Sequence, residues 1–407
     1  MVHGGGLDPG WYDYPSLVIE ALAPAQLGFD DPSYLAGRLV VVVFGVAGVG
    51  AAWWLGARAY GTLAGFVAGT FTAVATTHVA YSRTAVTDVP FTTLATVSLA
   101  LMVTRRLELA GLAAGLAAAA KYPGVVLLLP LVVAGYRERR RLAIGVGLAV
   151  VAFAAASPFV LVHAGAAADD ARRVSERAND GWLGFENDPW TPFAFVDRLW
   201  EAVGPALIVA GAALVVALVR RRSADLVLAS FTLAYFATLL PIDAHFDRYV
   251  LPLVPVLGAL AGSLGTLAPV TLVLLVVPLT WSVRDTRDLT RQDTREAAQS
   301  WIERRIPASA PVAADPSAPP FGRRVLRFEL PAPWQGPDPR RDLRRLRQDG
   351  VRYVVVSGAV ADRVRAAERD YPREAAFYDA LERSAKRVYR LDPGGDYSGP
   401  WVAVYRL

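Results

Sequence analysis

Between Leu35 and Val283 the chain runs through apolar stretches of up to about 20 residues, each closed by arginine, proline or glycine. As a helix, 20 residues measure about 30 Å, the thickness of a bilayer's hydrocarbon core. Within that core a chain must satisfy its own backbone polar groups, so each run is expected to be helical. Ten such runs can be drawn, at about 35–57, 61–80, 90–104, 107–120, 123–136, 142–163, 200–219, 224–241, 249–264 and 267–283. Several are short, which leaves room for one or two re-entrant segments. A hydrophobic share of 54% agrees with a chain that is mostly membrane.

Parity tests the count, because every crossing exchanges the side on which the next loop lies. With residue 1 outside, the inner loops carry Arg58, Arg105 and Arg106, Arg137 with Arg139 to Arg141, and Arg220 to Arg222. Four successive inner loops are then basic, as orientation in a membrane requires; the fifth, near Gly265, is uncharged. The outer side receives residues 1–34, the turn from Ser82 to Pro90, the loop 164–199, the turn from Ile242 to Arg248, and everything after Val283. The expected organisation is a first outer loop over 1–34 with an interfacial helix, a transmembrane domain over 35–283, and an extracytoplasmic soluble domain over 284–407.

From Arg284 the composition turns charged and proline-rich. VRYVVVSG reads as a strand, 361–370 as a polar helix and WVAVYRL as a closing strand, so the tail is expected to be a small α/β domain whose sheet order the pattern does not give. The fold class expected is therefore a mainly α polytopic membrane protein with about ten transmembrane helices and a small C-terminal extracytoplasmic α/β domain, located in the cell membrane.

Some chemistries are excluded or disfavoured. There are no cysteines, so thiol redox chemistry, thiolate nucleophiles and disulfides drop out. His3, His78, His163 and His245 all fall toward the outer face without metal-ligand spacing, and no metal site is expected. The formal charge of +5 sits in loops where topology accounts for much of it, so no nucleic-acid partner is expected. Phosphate-loop, dinucleotide and nucleophile-elbow motifs are missing.

An ionisable side chain at the end of a membrane span costs several kcal/mol unless it meets a partner or a wet cavity. In HVAYSRTAVTDVPF, Asp88 lies just ahead of Pro90, with Arg83 five residues earlier. Its carboxylate suits a base for an acceptor hydroxyl or a cation ligand, and equally suits capping of the next helix. Lys121, in AAAAKYPGVV, falls on the outer side and is either a contact for a lipid phosphate or a lysine snorkelling to headgroups. PIDAHFDRYVLPLVP gathers Asp243, His245, Asp247, Arg248 and Tyr249. Arg248 with Tyr249 could clamp a phosphate, or Asp247 and Arg248 could form a surface ion network beside an interfacial tyrosine. The aromatic loop WLGFENDPWTPFAFVDRLW suits an interfacial helix or the lining of a substrate groove.

These residues, in this order, resemble the GT-C class of membrane glycosyltransferases, in the protein O-mannosyltransferase-like and aminoarabinose-transferase-like branch (the dolichyl-phosphate-mannose-protein mannosyltransferase superfamily). The resemblance starts at WYDYPSL and continues through LAGRLVVVVFG, HVAYSRTAVTDVPF, GLAAGLAAAAKYPGVVLLLPL, WLGFEND and FDRYVLPLVPVLGALAG. In the tail it takes in DTREAAQSWIERRIPASAPVAAD, VRYVVVSG, YPREAAFYDALE and GPWVAVYRL. It implies transfer of a sugar from a polyprenyl-phosphate donor to an acceptor hydroxyl at the outer membrane surface, with inversion. Asp88 matches the family's acidic residue in the second outer turn. Lys121 and Arg248 match basic positions for the carrier phosphate, with Tyr249, His245, Arg83 and Tyr14 around donor phosphate or sugar. The acceptor stays open between protein, lipid and glycan; no cofactor is assigned, and room is left for a divalent cation.

One departure stands out. Family members carry a first membrane helix and then an acidic motif opening the first outer loop. Here Asp13, inside WYDYPSL, is the nearest carboxylate and is carried as a second candidate base. The expectation is a start assigned too far downstream, with a noncatalytic scaffold as the alternative. A transporter is the competing function class; it predicts paired interrupted helices and internal repeats, neither of which is visible in the sequence.

Overall fold

The computed structural model describes residues 6, 8–322 and 324–407, so His3 lies outside the described residues. The chain divides into two compact units, 1–176 with 190–282, and 177–189 with 283–407. The outer loop 164–199 is therefore shared between units.

The first unit is helical, and helix occupies each of the ten apolar runs. Ten complete spans are not reached. Among the described residues two helices are long and apolar enough to cross a bilayer, Tyr34–Tyr60 and Gly265–Asp288; counting each sharply bent pair as one span raises this to four. The rest are shorter or interrupted. Leu107–Ala120 has 14 residues, about 21 Å of helix, and gives way at Lys121 to a 3₁₀ turn, Tyr122–Leu127, whose second residue is Pro123.

Outward faces are apolar as well as the core: Val43, Val46, Val150, Ile208, Val215 and Val219 are all exposed, the pattern of helices whose surroundings are hydrocarbon. With no water to drive apolar faces together, such helices associate through close backbone approach at small residues. Gly111 and Gly115 do this on Leu107–Ala120. A methyl group at Gly111 would lie 1.9 Å from the carbonyl oxygen of Gly145, and one at Gly115 would lie 2.1 Å from that of Ala149. Both oxygens belong to helix Arg139–Ala156.

The second unit holds strands β1 (Gln292–Asp293), β2 (Val312–Ala314), β3 (Leu326–Arg327), β4 (Tyr353–Ser357), β5 (Lys386–Leu391), β6 (Tyr397–Ser398) and β7 (Val402–Arg406). β1 and β6 form a parallel pair, and the others make a mixed sheet in the order β3-β2-β4-β7-β5. β2 runs parallel to β3 and β4, while β7 runs antiparallel to β4 and β5. Side chains alternate across this sheet. Val354, Val356, Ala403 and Tyr405 pack with Val360, Phe377, Tyr378 and Leu381 on one face. Val355, Val402 and Val404 pack with Ala298 and Ile302 on the other. Helices thus cover both faces, as a sheet apolar on both sides requires. Across the C-terminal ends of β2 and β4, the buried Asp315 carboxylate accepts from the backbone N–H of Ser357 (3.1 Å), the Tyr378 hydroxyl (2.9 Å) and the Arg341 guanidinium (3.1 Å). Burial and the neighbouring Asp315 charge push the Tyr378 phenol well up. This network lies within the unit and ties sheet to helix.

Candidate active site

Where helix Leu107–Ala120 stops, Lys121 takes up an extended backbone (φ −158°, ψ 130°). Its ammonium lies 2.5 Å from Asp88 Oδ1. Asp88 stands in the first turn of helix Asp88–Val103, where the exposed N–H groups favour a carboxylate. The residue ahead of it, Thr87, makes no side-chain cap bond. The Asp88 carboxylate itself is directed to Lys121, so an ion pair replaces the capping role weighed for it. Lys121 and Asp88 are only 6% and 4% exposed, so each charge depends on the other. They come from elements 33 residues apart.

The 3₁₀ turn Asp247–Val250 supplies the third side. The Lys121 ammonium sits 4.9 Å from the centre of the Tyr249 ring. The Arg248 guanidinium packs on the rings of Phe246 (4.4 Å) and Tyr249 (5.6 Å), and its Nε is buried without a hydrogen-bond partner. Tyr14, from the N-terminal segment, closes the group. Burial pushes its phenol up, the Lys121 charge opposes this, the Tyr249 phenol adds to it, and Arg248 and Asp88 act in opposite senses. Tyr14 is therefore a hydroxyl donor at neutral pH. Two cations, one carboxylate and two tyrosines converge, a donor set suited to a phosphate.

Other sequence candidates go elsewhere. Asp13 faces Arg173 at 3.6 Å. That arginine also pairs with Asp170, which accepts the backbone N–H of Tyr12; no contact joins Asp13 to Asp88 or Lys121 among the described residues. His245 is buried, 3.3 Å from the Thr191 hydroxyl and edge-on to Phe195. It fastens helix Thr191–Val203. Arg83 caps the C-terminus of helix Thr76–Ser82. Among the described residues no group of three or more His, Asp or Glu is placed to hold a metal ion.

Two contributors escaped the sequence reading. Tyr81 donates to Asp247 Oδ1 at 2.6 Å, and Tyr235 donates to the Tyr249 carbonyl at 3.1 Å. Asp247 bears on the surface ion network, one of the two readings of this turn. It accepts the backbone N–H of Arg248 at 3.0 Å in place of forming a surface ion network with the guanidinium. No signal in the sequence separates these tyrosines from others at a membrane boundary.

Among solved structures, the aminoarabinose transferase ArnT of Cupriavidus metallidurans in its apo state matches 97% of this chain and 88% of its own, with a TM-score of 0.60 at 16% identity. The chain has the GT-C fold. ArnT bound to undecaprenyl phosphate gives the same TM-score at 15% identity. A third GT-C structure is the oligosaccharyltransferase AglB of Archaeoglobus fulgidus, in complex with an inhibitory peptide and a dolichol-phosphate. It matches at a TM-score of 0.54 and 12% identity, over 91% of this chain and 64% of that one. No protein-family model and no curated protein matches the sequence.

Proposed function

We propose that this chain is a membrane glycosyltransferase that moves a sugar from a polyprenyl-phosphate donor to an acceptor hydroxyl outside the membrane. The observation that carries the proposal is the convergence of Lys121, Arg248, Tyr249 and Tyr14 around Asp88 within a GT-C fold. The acceptor oxygen attacks the anomeric carbon, the bond from that carbon to the phosphate oxygen breaks, and the configuration inverts. Lys121 and Arg248 hold the departing phosphate. The acceptor proton goes to a carboxylate. In the structure Asp88 is occupied by Lys121, so the two roles are linked: as Lys121 transfers to the phosphate, Asp88 becomes free to accept the proton. Asp13 is the second candidate base on the same side of the proposed topology, and the same parity supports an outer placement of the second unit.

A transporter reading would draw on the two bent helix pairs, 61° between Thr62–Val74 and Thr76–Ser82, and 119° between Thr191–Val203 and Ala206–Arg220. Unwound segments in transporters face coupling ions and substrate. Here the residues at the breaks, Ala75, Gly204 and Pro205, carry no ionisable group, which favours the transferase.

The test is release of radiolabelled sugar from a panel of polyprenyl-phosphate donors by membranes containing the chain, beside Asp88→Asn and Arg248→Met. Turnover is expected in the parent, with losses of about 100-fold or more in both variants. Absence of turnover across the panel, with the protein shown to be folded, returns the transporter and scaffold readings to the front.

A further inference from the structure

Arg248 has a carboxylate as its immediate chain neighbour. Were Asp247 to fold onto the guanidinium, the cation would be neutralised and a phosphate would find little charge there. The structure keeps them apart. Asp247 Oδ1 accepts the Tyr81 hydroxyl at 2.6 Å and the Arg248 backbone N–H at 3.0 Å. The guanidinium, spread on Phe246 and Tyr249, makes no ion pair with a carboxylate among the described residues, and its Nε is buried without a partner. Tyr81 comes from helix Thr76–Ser82, which is turned by 61° at Ala75. Beyond Arg248 the turn is fastened again where Tyr235 reaches the Tyr249 carbonyl at 3.1 Å.

We propose that Tyr81 is a positioning residue: by holding the Asp247 carboxylate away from the guanidinium, it leaves Arg248 without an ion-paired carboxylate and open to the phosphate of the donor. The assignment rests on the reading of this site as a lipid-phosphate site, and it adds a device that sets the affinity of that site. Removing the Tyr81 hydroxyl frees Asp247 to swing onto Arg248. Removing the Asp247 charge as well takes away the carboxylate that would fold onto it.

The experiment is binding of undecaprenyl phosphate to the full chain in phosphatidylcholine nanodiscs, followed by native mass spectrometry, with thermal unfolding as the check on folding. Tyr81→Phe is expected to weaken binding about tenfold. Asp247→Asn is expected to bind at least as well as the parent. The double variant, Tyr81→Phe with Asp247→Asn, is expected to return to within about threefold of it. A merely structural hydrogen bond predicts the opposite, with the double variant no better than Tyr81→Phe alone. That result would overturn the proposal, as would parent-like binding by Tyr81→Phe. If Tyr81→Phe does not fold, a folded Asp247→Asn that loses about tenfold in affinity overturns it too. Failure of the parent itself to bind undecaprenyl phosphate removes the lipid-phosphate reading, and this inference with it.

Discussion

Asp88 and Lys121 bury opposite charges side by side, and that decides what substitutions there report. Removing one partner strands the other in a low-dielectric site at a cost of about 3–5 kcal/mol, whereas replacing both with apolar residues of similar size is often near neutral. Asp88→Leu and Lys121→Met are therefore each expected to lower the unfolding temperature in detergent, and the double variant to recover most of the loss. Sugar transfer is expected to be absent from all three. Should the double variant be no more stable than the singles, the pair does not carry the charge balance assigned to it. Each member was legible in the sequence as an ionisable residue against apolar surroundings. Their pairing was not, because it depends on the relative height and rotation of two helices that periodicity leaves undefined. Asp13 and Tyr14 teach a related lesson. They are adjacent in the chain, yet one faces Arg173 while the other lies within the field of Lys121 and Arg248, so adjacency in an irregular segment does not assign two side chains to one site.

The helices meet at glycines, and here packing is set by single atoms. A Cβ at Gly111 or Gly115 falls within 2.1 Å of a carbonyl oxygen on helix Arg139–Ala156, while one at Gly147, on that same helix, meets nothing within 4 Å. Gly111→Ala and Gly115→Ala are expected to destabilise by about 1–3 kcal/mol through forced separation of the helices. Gly147→Ala is expected to be neutral or to stabilise by about 0.4–1 kcal/mol, since alanine restricts the unfolded chain and suits a helix. Thermal unfolding of the three variants in one detergent checks both directions. Equal losses at all three would mean that helix propensity is not what distinguishes Gly147, and that the backbone contact at Gly111 is not what holds this pair. The apolar runs forecast where helix would lie, since composition and length decide that. The interruptions were forecast less well. Pro123 announces the stop at Lys121, but the bend at Ala75 has neither proline nor glycine within it, and it is this bend that carries Tyr81 to Asp247.

The arrangement of the whole chain across a membrane can be argued from the second unit. Residues 177–189 fold with 283–407: Asn187 donates to the Ala366 carbonyl at 2.9 Å, and Trp182 packs against Trp334 with ring centres 5.1 Å apart. Two segments that share a fold must lie on one side of a bilayer. The number of crossings between Pro189 and Val283 must then be even, which the four apolar runs drawn there satisfy and which arginine counting could not establish, because the inner turn near Gly265 carries no charge. The basic loops predict the sign of the orientation. Arg105 and Arg141 are paired with Glu138 and Glu108, but orientation follows lysine and arginine largely regardless of acidic neighbours, and Arg139 and Arg140 remain exposed. Because the chain has no cysteine, single cysteines placed at exposed positions give an unambiguous map. Asn187→Cys and Asp396→Cys are expected to react with a membrane-impermeant maleimide on intact cells, and Arg140→Cys and Ser223→Cys only after lysis. Labelling of Asn187→Cys without Asp396→Cys would contradict the shared fold of the second unit. Reversal of the whole pattern would put Asp88, Lys121 and Arg248 at the cytoplasmic surface, and the acceptor would then have to be sought inside the cell.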